Sequence, residues 1–114
     1  MKGFFDGIGQ WAATFGCEGL QAGQVVKPAG EGRVAACGAG DAFCGCVISV
    51  GRDGSACSVA LGGIVSAPFS GAAPGTGWQG LSADGEGGVS ADSAGHKFCI
   101  LDVDAVQNSV TFIL

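Results

Sequence analysis

Charge is scarce in this chain. Lys, Arg, Asp and Glu make up only 13% of its 114 residues, and the net charge is −5. The five cations, Lys2, Lys27, Arg33, Arg52 and Lys97, are scattered rather than gathered. A nucleic-acid binder concentrates cations on one face or stripe to displace counterions from phosphates, so this distribution argues against DNA or RNA as a partner. Long apolar runs are also missing. Nothing approaches the ~20 residues that a membrane-crossing helix requires, so no membrane partner is expected. The first residues do not read as an export leader either: Lys2 supplies one positive charge, but Asp6, Gly7, Gly9 and Gln10 interrupt the apolar stretch that should follow.

What is present points to a folded domain. Glycine contributes 23 residues, a load that would suggest a flexible chain if apolar residues were few, but 47% of the residues are hydrophobic. That is enough apolar surface to offset the entropy of ordering. The glycines then read as turns and bulges between short strands. A chain of this length forms one domain with a single core, without needing a metal or disulfide staple. With so few charges, part of its apolar surface is expected to be shared with other protein chains, as in a homo-oligomer.

Two regions follow from the pattern. Residues 1–19 carry Phe4, Phe5, Ile8, Trp11 and Phe15, and four of these, Phe4, Ile8, Trp11 and Phe15, fall at helical spacing. Gly3, Gly7, Gly9 and Gly16 make an isolated helix costly, at about 1 kcal/mol each relative to Ala. The segment reads as an apolar arm with at most one or two helical turns, which either orders on another surface or packs on its own domain. Residues 20–114 form a single β domain of short antiparallel strands, a small sandwich or barrel. Strands are expected at Gln24–Lys27, Arg33–Cys37 and Gly62–Val65. The clearest hairpin runs from Ala42 to Leu61 around a Gly51–Gly54 loop. A four-residue loop would pair Ile48 with Cys57 and Cys46 with Val59, placing Cys44, Cys46, Ile48, Cys57, Val59 and Leu61 on one core face. Pro68–Gly88 reads as a loop-rich excursion anchored by Trp78 and Leu81. A terminal hairpin joins Lys97–Asp102 to Ser109–Leu114, with apolar residues of both parities, so both of its faces should be covered. No clean internal repeat is visible.

No constellation favours catalysis. Cys17, Cys37, Cys44, Cys46, Cys57 and Cys99 could form a disulfide framework in a secreted chain, or hold zinc if they came in two close pairs. Only Cys44-x-Cys46 is close, and its two members alternate onto one face, so reduced buried thiols acting as small apolar side chains are the simplest reading. His96 is the sole histidine, and nothing marks any cysteine as its activated partner. Asp84-Gly85-Glu86-Gly87 lacks the longer ligand series of a calcium loop, and turn formation explains it. No enzyme activity, cofactor or metal is expected.

Several segments carry a family likeness: Leu20–Pro28, Gly40–Val47, Val59–Val65, Gly77–Leu81, and the closing Leu101–Asp104 with Val110–Leu114. Together they resemble the small Gly/Ala/Val-rich decoration or auxiliary head proteins of tailed phages. The likeness spans about Leu20 to Leu114 and is compositional. It implies a virion protein, made in the host cytoplasm, that binds the major capsid protein on the outer shell and itself, often as a trimer. Phe4, Phe5, Ile8, Trp11, Phe15 and Trp78 are then the expected capsid or subunit contacts. A phage tail, neck or fibre component, and a carbohydrate- or host-surface-binding module using Trp78 and its loops, are the alternatives. A cysteine-based metal or redox protein is the other class considered.

Overall fold

Short runs of Val, Ala, Ile and Cys, broken by glycine, fit a pleated, half-buried surface better than a helix. The computed structural model describes residues 10–114, and among these the only regular structure is strand. The first half contains β1 (Trp11–Gly16), β2 (Val25–Pro28), β3 (Val34–Ala36), β4 (Gly45–Val50) and β5 (Ala56–Gly62). The second contains β6 (Ile64–Pro68), β7 (Gly77–Ala83), β8 (Val89–Ala91), β9 (His96–Asp104) and β10 (Ser109–Ile113). Each half forms one five-stranded antiparallel sheet, in the order β1-β5-β4-β2-β3 and β6-β10-β9-β7-β8. Both sheets curl until their edges meet. A parallel bridge joins Gly16 to Arg33, where the Gly16 N–H donates to the Gly32 carbonyl at 2.7 Å. Its counterpart joins Phe69 to Val89, where the Ser70 N–H donates to the Val89 carbonyl at 2.9 Å. Small sheets that close in this way leave few exposed edges.

The two halves share one topology, a repeat that the sequence reading did not find. Renumbering β1–β5 as β6–β10 converts the first strand order into the second. The match extends to register. Val25 pairs with Cys46, and Cys46 with Ala60; Trp78 pairs with Cys99, and Cys99 with Ile113. Each partner recurs 53 positions later (25 to 78, 46 to 99, 60 to 113). The β4–β5 irregularity between Val47 and Ser49 recurs in β9–β10, where Phe112 faces Ile100 and Thr111 faces Asp102, so Ile48 and Leu101 are equivalent. The β2–β3 and β7–β8 turns even keep a common sequence, Gly30-Glu31-Gly32 and Gly85-Glu86-Gly87, with all four glycines at positive φ.

Two apolar clusters fill the structure. One lies wholly within the first half and contains Cys17, Leu20, Val26, Val34, Val47, Cys57 and Val59. The other joins the halves: Phe69, Leu81, Val89, Ile100, Val110 and Phe112 of the second meet Val25, Cys46 and Ala60 of the first. Phe43, from the loop before β4, extends into the second half, stacking on Phe98 at 5.1 Å and meeting Phe112 edge-on at 6.0 Å. Strands β2, β4 and β5 of the first sheet are therefore packed on both faces. The radius of gyration, 13.3 Å, matches the roughly 13 Å of a single domain of this length.

Four expectations are corrected here. The β4–β5 loop has five residues, Gly51–Ser55, closed by the Gly51 N–H on the Ala56 carbonyl, so Val50 pairs with Cys57. With the bulge, this sets Val47 against Val59 and leaves Ile48 43% exposed, while Cys46 faces the opposite cluster. Second, residues 11–16 do not form helical turns: pairing with β5 satisfies their backbone and overrides the weak helical spacing. Third, the Pro68–Gly88 stretch contains the seven-residue strand β7, in which Leu81 is buried as expected but Trp78 is not. The expected terminal hairpin forms as β9 and β10. Its inner parity, Phe98, Ile100, Val110 and Phe112, is buried, but Ile113 on the outer parity is 41% exposed, so only one face is covered.

Candidate interaction surface

Three neighbouring strands place large side chains on the outer face of the second sheet. Trp78 on β7 lies beside Cys99 on β9, which lies beside Ile113 on β10, so all three point the same way. Trp78 is 72% exposed. Together with His96, Lys97, Phe98 and Leu114, these residues line a mostly apolar cleft of about 270 Å³. His96 packs edge-on against Phe98, with ring centroids 4.9 Å apart. An exposed aromatic–aliphatic patch of this kind makes the face a candidate for binding.

The expected contact residues are dispersed. Trp11 is 61% exposed on β1 of the first sheet, its indole lying over Gly62, where any side chain would collide with it. Phe15 is half-buried against the first-half cluster. Phe4, Phe5 and Ile8 lie outside the described residues. The sequence reading missed Cys99 and Ile113 as partners of Trp78. Their signal was the outer parity of the terminal hairpin, assigned above to a covered face.

The polar groups have structural roles. One Asp84 carboxylate oxygen accepts the Glu86 and Gly88 N–H groups and the other accepts the Ser70 hydroxyl at 2.6 Å, fixing the Gly85-Glu86-Gly87 turn. Burial opposes ionisation of Asp84, but these hydrogen bonds together outweigh it and hold the carboxyl below its ordinary range. Asp41 accepts from the Lys27 ammonium at 2.6 Å and from the Gly38 N–H, which lowers its pKa and organises the loop that carries Phe43. Among the described residues, no group of three His, Cys, Asp or Glu side chains is arranged to hold a metal ion.

The six cysteines are free thiols, four of them buried. Burial, with smaller contributions from Cys44 and Cys37, pushes Cys46 up to about 12, and burial chiefly raises Cys37 and Cys57 to about 11. Because the thiolate is the reactive form, these three resist alkylation in the folded protein. At pH 8, iodoacetamide is expected to label Cys37, Cys46 and Cys57 at least ~100-fold more slowly than a free thiol. All six should react once the chain is unfolded in guanidinium, and mass spectrometry of the labelled peptides reads both states. Rapid native labelling of Cys46 would show that the shared core opens readily.

Neither a protein-family model nor a curated protein matches this chain.

Proposed function

We propose that this is a non-enzymatic structural protein of a virus particle, which binds the outer surface of a phage capsid lattice and stabilises it through apolar contacts. The observation that carries this reading is the exposed Trp78–Cys99–Ile113 face in a molecule with few charges. Such a face gains about 25 cal/mol per Å² of apolar area covered, and sparse charge keeps the desolvation cost low. Weak contacts repeated across a lattice add up through multivalency. The resemblance of Leu20–Leu114 to decoration proteins points to the same role and names the major capsid protein as partner.

The test is co-sedimentation of the full chain with undecorated, expanded tailed-phage capsids, followed by cryo-electron microscopy of the pellets. Saturable density at equivalent lattice positions is expected, with occupancy reduced about tenfold or more in Trp78→Ala, a substitution of an exposed side chain that leaves the fold intact. No density on any expanded capsid would overturn the reading. Ring or fibre assembly without capsid affinity would instead indicate a tail, neck or fibre component. The exposure of Trp78 also supports a second reading, a module that stacks a sugar ring on the indole face. Glycan-array binding abolished by Trp78→Ala, with capsids ignored, would favour it.

A further inference from the structure

Ser82 is the one buried polar or charged residue among those described, only 5% exposed near the end of β7. Leu81 and Ala83 on either side of it face the shared core, so Ser82 faces away from it, beside its partner Ser90 on β8. Among the described residues the Ser82 hydroxyl has no hydrogen-bond partner, yet no fully enclosed polar side-chain atom is left unpaired. The hydroxyl therefore opens into the cleft that Ser82 lines. That cleft, of about 360 Å³, is walled by β7, β8, the Ala39-Gly40 loop of the first half and the Ser70-Gly71 loop after β6. Backbone hydrogen bonds fix both loops. The Gly40 N–H donates to the Ala83 carbonyl at 2.8 Å, and the Ser70 N–H to the Val89 carbonyl at 2.9 Å. The cleft is separate from the Trp78 face, because the chain at Asp92 crosses β7 between Trp78 and Ser82: the Asp92 carbonyl sits over Gly80 and leaves no room for a Cβ there.

The charge of this cleft is one-sided. Asp84 and Asp92 both line it, and no Lys or Arg among the described residues does. Asp84 is held ionised at neutral pH by the hydrogen bonds that fix its turn. Its Oδ1 accepts two N–H groups and its Oδ2 one hydroxyl, which leaves about one of a carboxylate's roughly four acceptor positions open. Asp92 spends only Oδ1, on the Ala94 N–H at 2.9 Å, and keeps Oδ2. An anion is repelled by such a site, and a donor-rich cation is drawn to it. We propose that the cleft between β7, β8 and the Ala39-Gly40 loop binds the guanidinium of an arginine side chain presented by a partner protein. The acceptors, Ser82, Ser90, Asp84 and Asp92, are spread around the cleft, which suits a planar fork of five N–H donors better than the three donors of a lysine ammonium. The Ser82 hydroxyl has already lost most of its water to burial, so a charged donor reaching it gains a bond at little further desolvation cost. This contact is polar and lies apart from the apolar face given to the capsid, so it does not depend on that reading.

The experiment is an NMR titration of the isotope-labelled full chain with N-acetyl-arginine amide, read from the backbone amide shifts. N-acetyl-citrulline amide, of nearly the same shape but neutral, is the control. Saturable shifts are expected in β7, β8 and the Ala39-Gly40 loop, with a Kd of about 1–10 mM for a single side chain outside its protein. The citrulline compound should bind at least ~10-fold more weakly. Two variants locate the site. Asp92→Asn removes a charge and keeps the Oδ1 acceptor used by Ala94, and Ser82→Ala removes the buried hydroxyl; each should weaken arginine binding at least ~5-fold. The spectrum of each variant reports that it folds, and Trp78→Ala should leave the affinity unchanged. Equal binding of the arginine and citrulline compounds would overturn the proposal, as would variants that bind as tightly as the wild type. So would shifts confined to Trp78, Cys99 and Ile113, which would mean stacking of the cation on the indole, or no saturable shift up to about 50 mM. Since no capsid is present, these outcomes are independent of the co-sedimentation result.

Discussion

Gly45→Ala is expected to destabilise the protein by about 3 kcal/mol, although it adds only one methyl group. Gly45 opens β4 and is buried between its neighbours, pairing with Val26 on β2. A Cβ there would lie 2.3 Å from the Ala60 carbonyl oxygen and 2.8 Å from Val59 Cγ1. The first obstacle is backbone, so relief requires β5 to move away from β4, disturbing the Cys46–Ala60 and Val47–Val59 pairs that separate the two clusters. Gly23→Ala is the control: its φ of +92° is strained for alanine, but the added methyl meets nothing within 4 Å. That strain alone costs about 1–2 kcal/mol. Thermal unfolding distinguishes them, with melting points expected to fall by roughly 10 °C for Gly45→Ala and about half as much or less for Gly23→Ala. Equal losses would show that the close approach at Gly45 is not what fixes glycine there.

The same position illustrates what could and could not be read from the residues. The second-half counterpart of Gly45 is Phe98, 53 positions along (45 to 98), so a close backbone approach in one sheet aligns with a large side chain in the other. Between β4 and the matching part of β9, only Cys46/Cys99 and Val50/Val103 are identical. The repeat is kept in strand order and register, while identity between the halves is sparse and its longest run is the Gly-Glu-Gly turn. By contrast, β9 and β10 were legible because Phe98, Ile100, Val110 and Phe112 alternate cleanly on either side of a polar turn. The β4–β5 register was not, because it depends on a bulge and on a fifth loop residue, and neither leaves a mark in an alternating run. At the candidate surface, Trp78 stood out as an aromatic residue in a glycine-rich stretch. Whether it points inward or outward depends on β7 pairing with β9, a long-range choice that its own neighbours do not make.

Phe112→Ala is expected to cost about 3–5 kcal/mol, a large share of the total stability of a domain this size. The ring is fully buried, lies 5.2 Å from Phe98 and meets Phe43 at 6.0 Å, so its removal leaves a cavity bordered by both halves of the chain. Phe43→Ala, also buried, withdraws the first half's aromatic contribution to the same site. Because the two rings touch, the double variant should lose less than the sum of the single losses, by about 0.5–1.5 kcal/mol in guanidinium unfolding. A second readout tests whether the repeated halves fold as one. The Val25–Cys46–Ala60 strip is buried only because the second half covers it, so loosening the second half should expose the first. In Phe112→Ala, amide exchange followed by mass spectrometry should therefore accelerate in β4 and β5 as well as in β9 and β10. Acceleration confined to β9 and β10 would mean that the halves are independent units placed side by side. In that case the contact between the halves would contribute little energy to the fold.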